Sequence, residues 1–187
     1  MPGGAVTARR QPAVQLFGKL PGHGDFIARG LAAGERDVLD RWLSHEIDEA
    51  RTLLAEAFDD LYDRAPPWFF LHGEGDFGDA GVLAPSIDRA GRRFPIYLAL
   101  LGIGEGRREA AARWCEEMLH RAFAGGWDAD QLAAQTAAFD ISVPPCRTDR
   151  TVPGWWSDGG EGFPPGALAG RLPVRLLMQM LQAKEDS

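Results

Sequence analysis

The chain has 187 residues, 45% of them hydrophobic and 25% charged; at about 150 residues per domain that is one globular domain, which excludes a fibre or a disordered chain. Twenty Lys and Arg against 27 Asp and Glu leave a formal charge of −7, a field that repels nucleic-acid phosphates and anionic lipid. No stretch approaches the roughly 20 apolar residues of a membrane helix, and two cysteines, Cys115 and Cys146, without a Cys-x-x-Cys pair fit a reducing compartment.

Arg9 and Arg10 are followed by Gln15 and Lys19 rather than by an apolar export segment. The chain is therefore expected in the cytoplasm, with no nucleic-acid partner and no membrane insertion. Residues 1–12, with two prolines and two glycines, read as a flexible tail, and residues 13–187 as a single α/β domain.

Alternation from Val14 to Phe17 predicts a strand that runs into the Gly/Pro cluster Gly18 to Gly24. From Glu35 to Asp63, apolar residues recur at steps of three and four, including Val38, Leu39, Trp42, Leu43, Ile47, Leu53, Leu54, Phe58 and Leu61. This is one long amphipathic helix or two in series, stopped by Pro66 and Pro67. Strands are predicted at Trp68 to Leu71 and in the run ending at Pro85, joined by a Gly- and Asp-rich loop. Phe94 to Leu101 carries no charge and suits a central strand covered on both faces.

Arg107 to Phe123 predicts a helix with Ala111, Trp114, Cys115, Met118, Leu119, Ala122 and Phe123 on one face, stopped at Gly125. Glu109/Arg113 and Glu117/Arg121 stand four apart on the other. Asp128 with Gln131 forms a capping-box pattern for a helix reaching about Ala138, and Pro144 and Pro145 close the next segment. Thr151 to Ser157 reads as a last strand or strand-like edge in which Trp155 and Trp156 face opposite ways, so that one can be core while the other caps a surface or meets a partner, with core packing as the default. Pro173 opens a terminal helix burying Leu176, Leu177, Met180 and Leu181. Hairpins alternate with helical connections, so the expected fold is a three-layer αβα sandwich around a mixed sheet.

Two segments concentrate unusual residues. In GKLPGHGDFIARGL, Gly18 to Leu31, a tight turn carries His23 and Asp25. GDFIARG has a partial likeness to the GDxVDRG element of metal-dependent phosphoesterases, but the other ligands such a centre requires are missing: His45 and His120 fall among helix-surface charges. In PSIDRAGRRFP, Pro85 to Pro95, Ser86 lacks a nucleophile elbow, and Ser86 and Asp88 suit backbone-amide acceptors in a turn around Gly91. Asp88 with Arg89, Arg92 and Arg93 also makes a charged cluster suited to a partner's carboxylates or phosphates. His72, Glu74, Asp76 and Asp79 read as an acidic hairpin loop rather than a metal site. Gly102 to Gly106, followed by Arg107 and Arg108, is not a phosphate loop.

Together these two segments, the Arg41 to Leu43 RWL, the APPWFFL strand and the late Trp-Trp closely resemble the TagF family, also called ImpM, of type VI secretion accessory proteins. Gly18, Lys19, Leu20, Pro21, Gly24, Asp25, Phe26, Arg29 and Gly30 fall on the first family signature. Pro85, Ser86, Asp88, Gly91, Arg92, Phe94 and Pro95 fall on the second. The resemblance implies a non-enzymatic cytosolic repressor that acts after translation, in some members through the forkhead-associated scaffold Fha. Some members carry a fused phosphatase domain, and this chain is expected to be the repressor module alone.

The expected partner surface combines Lys19, Asp25, Arg29, Ser86, Asp88, Arg89 and Arg92, if the two loops meet, and charge reversal at Asp25 and Arg92 is expected to spare stability. No cofactor is implied. The alternative is a metal-dependent hydrolase or phosphatase using Asp25, Asp88 and His23; a third reading is a structural subunit of the secretion apparatus.

Overall fold

A computed structural model of the protein describes residues 11–73, 75–142, 150 and 152–184. The predicted tail lies outside these residues except for Gln11 and Pro12, as do Pro144, Pro145, Cys146 and Thr151. The strands are β1 (Ala13–Gly18), β2 (Ile27–Arg29), β3 (Trp68–His72), β4 (Phe77–Ala84), β5 (Ile96–Gly104), β6 (Gly154–Ser157) and β7 (Gly166–Leu168). The helices are α1 (Ala33–Leu54), α2 (Phe58–Arg64), α3 (Arg108–Gly125), α4 (Ala129–Thr136) and α5 (Leu176–Met180).

The strands form one sheet in the order β2-β1-β5-β4-β3-β6-β7. Every pairing is antiparallel, so the sheet is not the mixed one expected. A helical crossover makes neighbours parallel only when the strands it joins lie side by side. Here α1 and α2 join β2 to β3, and β1, β5 and β4 lie between those two strands. Helices α3 and α4 likewise carry the chain from β5 past β4 and β3 to β6. Hairpins make the β1–β2, β3–β4, β4–β5 and β6–β7 pairs, while β1–β5 and β3–β6 pair antiparallel through long connections.

Alternating strand residues divide between two cores. Leu16, Phe69, Leu71, Val82, Leu98, Leu100 and Trp156 pack with Ala111, Cys115, Met118, Leu119 and Leu132 of α3 and α4. Phe17, Trp68, Phe70, Leu83, Tyr97 and Trp155 pack with residues of α1, α2 and α5, including Leu43, Ile47, Phe58, Tyr62, Leu176 and Met180. Trp155 and Trp156 take opposite faces and both are buried, one in each core, which is the default core packing and leaves neither for a surface.

The long predicted helix is two in series, broken at Ala55, whose φ of 47° lies in the left-handed region. Val38 and Leu53, placed on the apolar face by spacing, are exposed. Helix α3 stops one residue later than predicted, at Gly126 with φ 62°. Asp128 caps α4 as expected, its carboxylate accepting the Gln131 amide at 2.8 Å. The predicted pairs Glu109/Arg113 and Glu117/Arg121 form at 3.7 and 2.8 Å. Among the described residues no helix is long and apolar enough to cross a membrane.

Candidate functional site: two joined loops

The first signature is the β1–β2 hairpin, with the short strand β2 where the sequence reads only as turn and loop. Gly18 sits at φ 131°, and a Cβ there would lie 2.1 Å from the Pro95 carbonyl oxygen, so only glycine lets β1 reach β5 at this register. The second signature is the β4–β5 turn. It is closed by the amides of Asp88 and Phe94, which donate to the carbonyls of Arg92 and Ser86 at 3.1 Å each, with Gly91 at φ 77°.

Both loops therefore emerge at one end of the sheet, and polar contacts lock them together. Lys19 Nζ lies 2.9 Å from Asp88 Oδ2, and Arg92 Nε donates to the same oxygen at 2.7 Å. Asp88 Oδ1 accepts the amides of Ala90 and Arg92 at 2.9 and 3.0 Å. Arg92 also donates to the Gly24 carbonyl at 2.6 Å, and the Arg89 amide to the His23 carbonyl at 2.8 Å. Ser86 is not the expected amide acceptor: its hydroxyl donates to the Lys19 carbonyl at 2.8 Å. Tyr62 of α2 bonds the Ser86 backbone through its hydroxyl, and Arg93 pairs with Asp59 and Asp63 of the same helix.

Burial pushes the Asp88 carboxyl up, but the Lys19 ammonium, the Arg92 guanidinium and the backbone amides outweigh it and hold it well below the usual carboxylate range. The carboxylate is thus charged and fully engaged. Lys19, Ser86 and Asp88 are buried, so three of the seven expected surface residues support the face from inside. Arg92 is exposed yet is the outer half of the Asp88 cluster, so reversing its charge would bring a second carboxylate to Asp88 and spare neither stability nor surface. Arg29 reaches α4, pairing with Asp130 at 2.6 Å, and that bond raises its already high pKa.

The side chains of Asp25 and Arg89 are exposed and make no ion pair or hydrogen bond in the cluster among the described residues. Between the loops stands Phe26, 50% exposed, edge-on to Phe94 at 4.6 Å, with the Lys19 ammonium 5.2 Å from its ring centre. Phe26 belongs to the signature, but nothing in its spacing separates an exposed aromatic from a core one.

The hydrolase alternative does not assemble. His23 Nε2 accepts the Ala129 amide at 3.1 Å, and both Asp88 oxygens are taken by Lys19, Arg92 and backbone amides. Among the described residues no three His, Cys, Asp or Glu are grouped as a metal ion would need.

The family model described as TagF N-terminal domain, type VI secretion system-associated, matches residues 15–139. The chain belongs to this TagF family. Its type VI secretion association follows from the same match, which spans β1 through the end of α4 and includes both joined loops. No curated protein matches the chain. The TagF fold is shared with the crystal structure of PA0076 from Pseudomonas aeruginosa PAO1, at a TM-score of 0.70 and 24% identity over 94% of this chain and 96% of that one.

Proposed function

We propose that this TagF protein is a non-enzymatic, cytosolic regulator that represses type VI secretion after translation by binding a secretion component, with the Fha scaffold as the partner the family resemblance implies. The observation that carries the reading is the fusion of the two signature loops into one braced face. A surface held by a buried ion pair and backbone bonds is preorganised, which lowers the ordering cost of association. Its outward groups, Asp25, Phe26, Arg89 and Arg92, put an aromatic anchor among charges of both signs, a combination found at interface hot spots. Lys19, Ser86 and Asp88 serve this face by holding it, and Arg29 by fixing the hairpin to α4. The two separate cores support a three-layer αβα arrangement, in which the loop face is one end of the middle layer.

The test is a calorimetric titration into the purified Fha scaffold of the same organism at moderate ionic strength, which screens weak charge attraction. Saturable binding that is lost on Phe26→Ala and Arg89→Glu, with both variants folded, is expected. Binding unchanged in both would move the contact elsewhere on the molecule, and no binding would remove Fha as the direct target.

A further inference from the structure

On the α1 side of the sheet, residues 169–175 form a strap pinned by two indoles: Trp155 donates to the Arg171 carbonyl at 3.1 Å and Trp42 to the Pro173 carbonyl at 3.2 Å. Beside the strap lies a cavity of about 400 Å³ with three buried polar side chains from three strands, Gln15 of β1, His72 of β3 and Tyr97 of β5. Burying polar groups costs desolvation unless they are bonded. His72 is 5% exposed and stacks on Phe70 at 4.5 Å, yet neither ring nitrogen has a hydrogen-bond partner among the described residues. The Arg171 carbonyl beside the ring is taken by Trp155. Native buried polar groups are nearly always paired, so this imidazole, with one donor and one acceptor, points to a missing ligand group that can do either.

The same cavity carries one exposed charge of each sign, Glu35 and Arg171. Glu35 is fixed through Oε2, which accepts the Ala32 amide at 2.8 Å and the Gln15 side-chain amide at 3.3 Å. Both donors are neutral, so the charge and Oε1 stay available. Arg171 makes no ion pair with Glu35 or with any other described residue. In so small a space a lone anion gains from Arg171 and is repelled by Glu35, a lone cation meets the reverse, and a neutral molecule draws on neither. A molecule with both charges side by side gains from both. Leu31, Val38, Leu39 and Leu172 supply apolar walls. We infer that this cavity binds a free α-amino acid whose aromatic or long side chain ends in a hydrogen-bonding group, with its ammonium on Glu35, its carboxylate on Arg171, its body along the leucines and its tip at His72. The volume matches that of ordinary small-molecule pockets, with few polar groups in a mostly apolar lining.

L-Tyrosine tests this beside analogues that each lack one group: tyramine without the carboxylate, hydroxyphenylpropionate without the ammonium and L-phenylalanine without the hydroxyl. The readouts are the His72 ring resonances by NMR and the thermal midpoint. Tyrosine is expected to shift His72 saturably and raise the midpoint. Tyramine and the acid should each bind about fivefold more weakly, the worth of a charge contact at a solvent edge, and phenylalanine by a similar factor for its lost hydrogen bond. Glu35→Gln keeps an oxygen for the Ala32 amide and should erase the preference for tyrosine over the acid. Arg171→Gln should erase the preference over tyramine with the fold intact, because it is the Arg171 backbone carbonyl that holds Trp155. No saturable shift at millimolar tyrosine, or tyramine or the acid binding as tightly as tyrosine, overturns the proposal. A tyrosine response unchanged in both charge variants also overturns it.

Discussion

Lys19 and Asp88 form an ion pair at 2.9 Å with both side chains buried, joining the β1–β2 hairpin to the β4–β5 turn from beneath. Removing one member of a buried pair leaves an uncompensated charge, whereas replacing both with apolar groups of similar size costs much less. Asp88→Leu alone is expected to lower the thermal midpoint by roughly 10 °C, Lys19→Met alone to lower it as well, and Lys19→Met with Asp88→Leu to lower it by clearly less than Asp88→Leu. Calorimetric melts of the two singles and the double close the cycle.

The surface reading is tested by residues that do not support the fold. Asp25→Arg with Arg89→Glu exchanges the charges of two exposed side chains outside the Asp88 cluster. The midpoint should stay within about 2 °C of the parent, as surface changes normally do, while repression in a secretion assay is lost. A folded double variant that represses normally would show that the joined loops are architecture alone.

What the sequence disclosed depends on the range of the interaction. Long periodic segments such as α3, with its apolar stripe and two ion pairs four apart, announced themselves, and so did the Asp128 cap. Strand β2 and strand β7 did not, because three residues each, set among Gly and Pro, carry no period to detect. The antiparallel sheet was hidden for another reason: element order does not say whether strands joined by a helix are neighbours. At the site, the signature spacing identified the two loops, but only the fold separates Lys19, Ser86 and Asp88, which face inward, from Asp25 and Arg89, which face out.

Glu46 shows the same limit. On the sequence it is one more acidic residue in a polar helix, yet it is buried and accepts the amides of Arg175 and Leu177 at 2.9 Å each, capping α5 from α1. Burial raises its pKa against the opposing pull of those two amides. Glu46→Ala strips both amides of their partner, at a cost of about 2 kcal/mol, or roughly 4–8 °C in a chain of this size. Hydrogen exchange should show faster exchange confined first to Arg175 and Leu177; protection unchanged at both amides would contradict the capping role.

His72 gives the fold a predictable acid sensitivity. Burial, with the nearby Arg171 charge, lowers its pKa from 6.5 to about 4. Between these values the unfolded chain binds a proton that the folded chain refuses, so the contribution is fully present above pH 6.5 and is lost as pH falls toward 4. The loss across that window is about 2–3 kcal/mol. Asp88 adds its own loss only below the ordinary carboxylate value of about 3.9, so the two effects separate on the pH axis. Urea unfolding at pH 7 and pH 4.5 should show a drop in the parent that is largely absent in His72→Phe, and the same variant should be no less stable than the parent at pH 7, since it removes two unpaired ring nitrogens from an aromatic stack. An equal drop in both proteins would place the acid sensitivity in other groups.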